Sequence, residues 1–247
     1  MPPGSPTGPT GIRAGASCAD PDDLMRLSAA ARRCLGRGGR VFGFDSRRPD
    51  RNRLQLEAQQ LARDEAETLR RVLDHAARSL GVSAEQYTLM GHVILYSVGQ
   101  GEEAAGRRSA AQAWHCDWSE AETQRLRSEG APVPMSLLVT LDPCGRLLTP
   151  GGSGARMAAA GDAVLFEGDF VHAGAAYADD HARAFAYVCP DVPEPLAHPE
   201  NLTYDEGPKV RAAVASEREP GPEQGQRRRK RGRDQDDDHD DTDDGLC

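Results

Sequence analysis

Nothing in these 247 residues approaches an unbroken run of about 18 apolar side chains, so no membrane span is expected. The opening segment, MPPGSPTGPTGIRAG, lacks the apolar stretch of a secretory leader. That predicts an intracellular protein, either cytoplasmic or nuclear. Lysine is nearly missing: of 30 basic residues only Lys209 and Lys230 are lysine. With the abundant Ala and Gly, this bias reads as GC-rich coding and carries no functional weight. Hydrophobic residues are also scarce, at 38% of the chain. A wholly globular chain has roughly 45–50%, so part of this one is not packed. The six cysteines (Cys18, Cys34, Cys116, Cys144, Cys189 and Cys247) form no C-x-x-C pair. Without a leader, reduced thiols are expected rather than a disulfide framework. The net charge of −9 offers no general attraction for nucleic acid. There is no internal repeat.

What is present falls into three parts. Residues 1–19, rich in Pro, Gly and Ser, read as a flexible lead-in. Residues 20–205 form the expected domain, and 206–247 a low-complexity tail of basic and then acidic residues. Within the domain, 20–81 is helical support. Asp20-Pro21 offers an N-cap and a first-turn proline for a helix ending near Cys34. A longer helix is predicted from about Asn52 to Leu80, on the helical spacing of Leu54, Leu61, Leu69, Val72, Leu73, Ala76 and Leu80. From 82 to 190 the pattern changes to short strand-like runs punctuated by Gly, Pro and Asp, which indicates an antiparallel barrel or double-sheet jelly roll. One exception is Ser119–Gly130, a capping-box pattern with little apolar surface. It predicts a short polar helix, read either as a mobile cover or as a plain surface insertion.

Three of the seven histidines stand two residues before an acid: His115-x-Asp117, His198-x-Glu200 and His239-x-Asp241. Context separates them, because only the first ends an apolar strand-like run, AQAWHCD. Residues i and i+2 of a strand share a face, so His115 and Asp117 can reach one ion while Cys116 points away and packs. A second histidine, His172, sits in the run GDAVLFEGDFVHAG (161–174) and would be turned inward by the tight Glu-Gly-Asp turn. Two imidazoles and a carboxylate occupy one face of an octahedral ion and suit non-haem Fe(II) and O₂ chemistry. Zinc would favour four-coordinate geometry, and other metals stay open. Arg183 shares a strand face with Phe185 and Tyr187. A guanidinium inside an apolar barrel needs a counter-charge, and an anionic ligand supplies one; the other reading is an exposed or ion-paired arginine on an edge strand.

The order HxD, then GD-x-x-x-F-x-x-x-x-x-H-x-G, then an arginine eleven residues on, resembles the Fe(II)/2-oxoglutarate-dependent dioxygenases over about residues 85–190. The phytanoyl-CoA dioxygenase-like and prolyl-hydroxylase-like branches are nearest in style. The resemblance implies an α+β chain: a double-stranded β-helix (jelly roll) with N-terminal supporting helices and disordered termini. It implies Fe(II) held by His115, Asp117 and His172, with Arg183 on the distal carboxylate of 2-oxoglutarate. It further implies oxidation of a substrate, by hydroxylation or demethylation, with release of succinate and CO₂. Two features depart from the pattern. Prolyl hydroxylases usually carry lysine at the place of Arg183, and some relatives have a hydroxyl residue at the place of Gly174. Tyr96 and Gln112 are the remaining candidates for co-substrate contacts. Trp114 reads as core, and Trp118 as core or substrate contact.

The substrate class stays open between a protein side chain, a modified base and a small metabolite. Two other readings compete: a silent jelly roll that binds a ligand or partner, and a cupin-type metal protein that dispenses with Arg183. In the tail, Arg227, Arg228, Arg229, Lys230, Arg231 and Arg233 precede eight aspartates. The acids lie within screening distance and compete with phosphates, so the run 227–233 reads either as an address for a nuclear import receptor or as part of a solubilising charged tail.

Overall fold

The computed structural model describes residues 12–16, 19–34, 40–41, 52–105, 107, 111–151, 154–192 and 208–218. His198, His239, the run 227–233 and its aspartates lie outside the described residues, as does most of the lead-in. In chain order the elements are β1 (Ile12–Ala16), α1 (Pro21–Cys34), β2 (Arg40–Val41), β3 (Arg53–Glu57), α2 (Arg63–Ser79) and β4 (Tyr87–Ser97). There follow α3 (Glu120–Ser128), β5 (Met135–Thr140), β6 (Gly145–Leu148), β7 (Ala155–Met157), β8 (Asp162–Glu167), β9 (Ala173–Gly174), β10 (His181–Pro190) and α4 (Pro208–Arg218).

Two antiparallel sheets face each other, one with the order β1-β8-β5-β10-β4-β3-β2 and one with β7-β6-β9. This is an α+β double-stranded β-helix, or jelly roll. Alternation along the strands sorts the large sheet into two faces. Leu56, Ile94, Tyr96, Leu137, Val139, Leu165, Ala182, Ala184 and Ala186 pack under α1 and α2 in the main core. Val93, Leu138, Val164, Phe166 and Phe185 point the other way and meet Leu147 and Met157 of the small sheet.

The supporting helices follow from their stripes. Asp20 accepts the Asp22 N–H at 2.9 Å where α1 starts, and Leu24, Leu27, Ala30, Ala31 and Cys34 are buried at helical spacing. Asp142 fastens α1 to the sheet by accepting from Ser28 Oγ (2.6 Å) and from the Ala182 N–H (2.8 Å). The helix expected from Asn52 begins only at Arg63. Residues 53–57 are instead a strand, β3, paired with β4, and a 3-10 turn (Ala58–Gln60) joins it to α2. Leu54 and Leu61 stand seven apart and suit a helix, but Leu54 and Leu56, two apart, share one face of a strand, and the hydrogen-bonding edge of β4 takes them as β3. Of the run 109–118, the described residues 111–118 likewise pair only through one bridge, His115 to His172.

Two elements lie outside the expected limits of the domain. β1, within the lead-in, pairs with β8 from Ile12↔Phe166 to Ala16↔Asp162. α4, beyond residue 205, buries Val210 and Ala213 against Trp114, Cys116, Val171 and Ala173.

Candidate metal and co-substrate site

His115 and His172 face each other as a hydrogen-bonded antiparallel pair: His115 N–H donates to His172 O at 3.0 Å, and His172 N–H to His115 O at 2.9 Å. Their rings stand 4.2 Å apart between centroids. Each ring is oriented the same way. Nδ1 of His115 lies 2.9 Å from Ala113 O, and Nδ1 of His172 lies 3.0 Å from Phe170 O. A carbonyl only accepts, so each Nδ1 is the donor of its ring and each Nε2 is the atom turned toward Asp117. Phe166 covers one side of the His172 ring, 4.6 Å between centroids. Burial pushes the His115 imidazole well below its ordinary pKa, and the neighbouring His172, Arg53 and Arg183 act in the same direction. It is therefore neutral, the form a metal requires.

Asp117 is fixed from two sides. Its backbone N–H, with that of Trp118, donates to Gly168 O (3.1 and 3.0 Å), tying the loop to the turn after β8. Its side chain places Oδ1 3.6 Å from His115 Nε2 and Oδ2 3.7 Å from His172 Nε2. One donor atom from each of the three residues falls within 4.8 Å of the others. Residue 168 must be glycine, because a Cβ there would overlap the Trp118 indole. Trp118 itself is buried, edge-on to Tyr187 at 5.9 Å. Cys116 points away, as expected, with Sγ donating to Asp169 O at 3.4 Å.

Arg183 on β10 is only 3% exposed. Its Nη2 donates to Ser97 Oγ at 3.4 Å, the Tyr177 ring lies 5.8 Å from Cζ, and its Nε has no hydrogen-bond partner. No ion pair joins it to a carboxylate among the described residues. Burial lowers its pKa. The missing side chain at Gly174 gives this guanidinium its room: a Cβ there would sit 3.3 and 3.4 Å from the two terminal nitrogens. The same Cβ would lie 3.1 Å from Oε1 of Gln112, which accepts the Gly174 N–H. Gln112 is thus beside Arg183. Tyr96 is not: it lies on the helix-side face of β4, with its hydroxyl on Asp180 Oδ2 at 2.6 Å. The strand alternation that sends Leu95 toward Arg183 sends Tyr96 away.

Two polar side chains of the site were not expected from the sequence. Arg53 is buried on β3 and donates through Nη2 to Gly174 O (3.0 Å) and Ala175 O (3.1 Å). Reading 52–80 as one helix concealed it. Ser136 on β5 donates to Asp117 Oδ2 at 2.6 Å. Its signal was a lone serine inside an apolar strand.

No family model and no curated protein matches the chain. Solved structures do. AviO1 from Streptomyces viridochromogenes Tue57 superposes with a TM-score of 0.51 and 18% identity, over 76% of this chain and 93% of that one. SnoN, the non-haem α-ketoglutarate-dependent epimerase of nogalamycin biosynthesis, gives 0.50 and 17%, over 79% and 87%. The fold is that of the 2-oxoglutarate-dependent oxygenases. EvdMO1 shares it at 0.50 and 18%, though the chain spans only 48% of that protein. Within this oxygenase fold, the donor set of the chain (two imidazoles and a carboxylate) matches an Fe(II) site, and the Arg183 recess matches a carboxylate co-substrate.

Proposed function

We propose that the chain is an Fe(II)- and 2-oxoglutarate-dependent oxygenase, with His115, Asp117 and His172 holding the iron and Arg183 the distal carboxylate of 2-oxoglutarate. The observation that carries this reading is a converging His-Asp-His donor set next to a buried guanidinium with no carboxylate partner among the described residues. Bound iron and co-substrate would supply the oxidising chemistry, giving a hydroxylated or demethylated substrate with succinate and CO₂. The protein's part is positioning. The Ala113 and Phe170 carbonyls keep both imidazoles presented through Nε2. Arg183 orients the co-substrate by its paired N–H donors, and Gln112 braces the adjoining Gly174 backbone. Phe166, against the His172 ring, would exclude water from that side, backed by Phe185 and Leu138 in the same apolar cluster.

The reading is tested by anaerobic Fe(II) titration and by aerobic incubation with Fe(II) and 2-oxoglutarate, following succinate. The Asp117→Ala, His172→Ala double variant should lose Fe(II) binding. Unchanged Fe(II) binding by that variant would remove the central claim. The substrate is a protein side chain, a modified base or a small metabolite. For the tail we propose nuclear import through residues 227–233. A fluorescent fusion lacking 221–247 should lose nuclear enrichment and keep metal-dependent activity, whereas unchanged localisation would end that idea.

A further inference from the structure

β5 is buried along its whole length, yet its second residue is a serine. Ser136 lies in register between Tyr187 of β10 and Phe166 of β8, and none of it is exposed. A hydroxyl in such a place is costly unless it finds a partner. Its partner is Asp117 Oδ2, which accepts the hydroxyl at 2.6 Å. The contact bridges 19 residues of sequence and joins a rigid central strand to the irregular loop that carries Asp117.

The two oxygens of Asp117 are therefore not equivalent. Both face an imidazole, Oδ1 toward His115 Nε2 at 3.6 Å and Oδ2 toward His172 Nε2 at 3.7 Å, but only Oδ2 is engaged by Ser136. The geometry points to Ser136 as a positioning residue that makes Asp117 a ligand through one oxygen only. This rests on the reading of the triad as a metal site, and it deepens that reading. A carboxylate able to turn and give both oxygens would occupy one further position on the ion. With Oδ2 held, two imidazoles and one oxygen fill three of six positions and leave the other three free. Hydrogen bonds to ligating carboxylates tune metal sites in general, and their loss typically costs about 10–100-fold in affinity.

The test uses Co(II) as the probe, because its visible spectrum reports coordination number without any turnover. Parent, Ser136→Ala, Ser136→Thr and Asp117→Ala proteins are titrated with Co(II), and thermal unfolding of each metal-free protein is recorded. Ser136→Ala should unfold with the parent, bind Co(II) about 10–100-fold more weakly and show an altered spectrum. Ser136→Thr, which keeps the hydroxyl, should restore both. A Ser136→Ala protein with parental affinity and spectrum overturns the proposal and leaves the metal site standing. Equal losses in the Ala and Thr variants, matched by lower metal-free stability, assign a merely structural role and also overturn it. A parent that binds no Co(II), or binds it no better than Asp117→Ala, overturns the metal reading itself and this inference with it.

Discussion

Arg183 and Gly174 act as one unit, since the guanidinium occupies the space a side chain at 174 would fill. Arg183→Ala should raise the 2-oxoglutarate requirement strongly while iron content stays near parental. Arg183→Lys should recover part of the binding, because charge is kept but the fork is not. Gly174→Val should weaken 2-oxoglutarate binding as well, by pushing the guanidinium aside. Titration of 2-oxoglutarate against the metal-loaded variants checks all three. His181 makes a second, independent prediction. Stacked on Tyr177 at 4.0 Å and beside Thr140 Oγ1, it is held down to about 3, first by burial and then by Arg183. Between that value and the 6.5 of an unfolded histidine, the unfolded chain binds the extra proton. Stability contributed by neutral His181 is therefore present above about pH 6.5 and lost as pH falls below it, by up to about 1.4 kcal/mol per pH unit. Burial of His115 adds a loss of the same sign. Urea midpoints of the metal-free protein measured from pH 7 to 4.5 should fall, and a His181→Gln variant should fall less steeply.

At the scale of elements, the polar segment 119–130 forms the helix its capping box foretells. Ser119 Oγ accepts the Glu122 N–H at 3.4 Å. It is better fastened than its composition suggests. Leu126 and Thr123 are buried, and Arg127 reaches Glu167 at 2.7 Å and Asp169 at 3.2 Å. The anchoring charges lie some 40 residues downstream and have no local signature. α4 was equally hidden, because its neighbourhood is polar and its apolar positions are few. Its role is legible only from contacts: Val210 and Ala213 cover the outside of the segments bearing His115 and His172, and Lys209 Nζ reaches the buried Asp169 at 2.5 Å. Lys209→Met should lower stability by only about 1 kcal/mol, since Asp169 keeps Arg127. Truncation after residue 207 should cost more and weaken Fe(II) binding, measured by thermal unfolding and metal titration. The parts visible beforehand were those with strong local pattern: α1, most of α2, β4, β5, β8, β10 and the His-Asp-His spacing. Arg53, Ser136 and α4 depend on partners that only the folded chain brings near.

At the scale of the whole molecule, one sheet separates two kinds of work. Its helix-side face is a continuous apolar core, where Tyr96 belongs. Its other face carries Arg183, Ser136 and the aromatic surroundings of His172. The order of strands in that sheet also governs how the protein is made. Of its six pairings, only β2–β3 and β3–β4 join strands that are neighbours in sequence. β1 waits for β8, and β10, the last strand, must slot between β4 and β5. A growing chain on the ribosome therefore carries two unsatisfied strand edges until residues 181–190 have emerged. Such distant pairing places refolding in the millisecond-to-second range or slower. Chains halted before His181 should aggregate unless a chaperone holds them, which ribosome-release and sedimentation assays of stalled lengths would reveal.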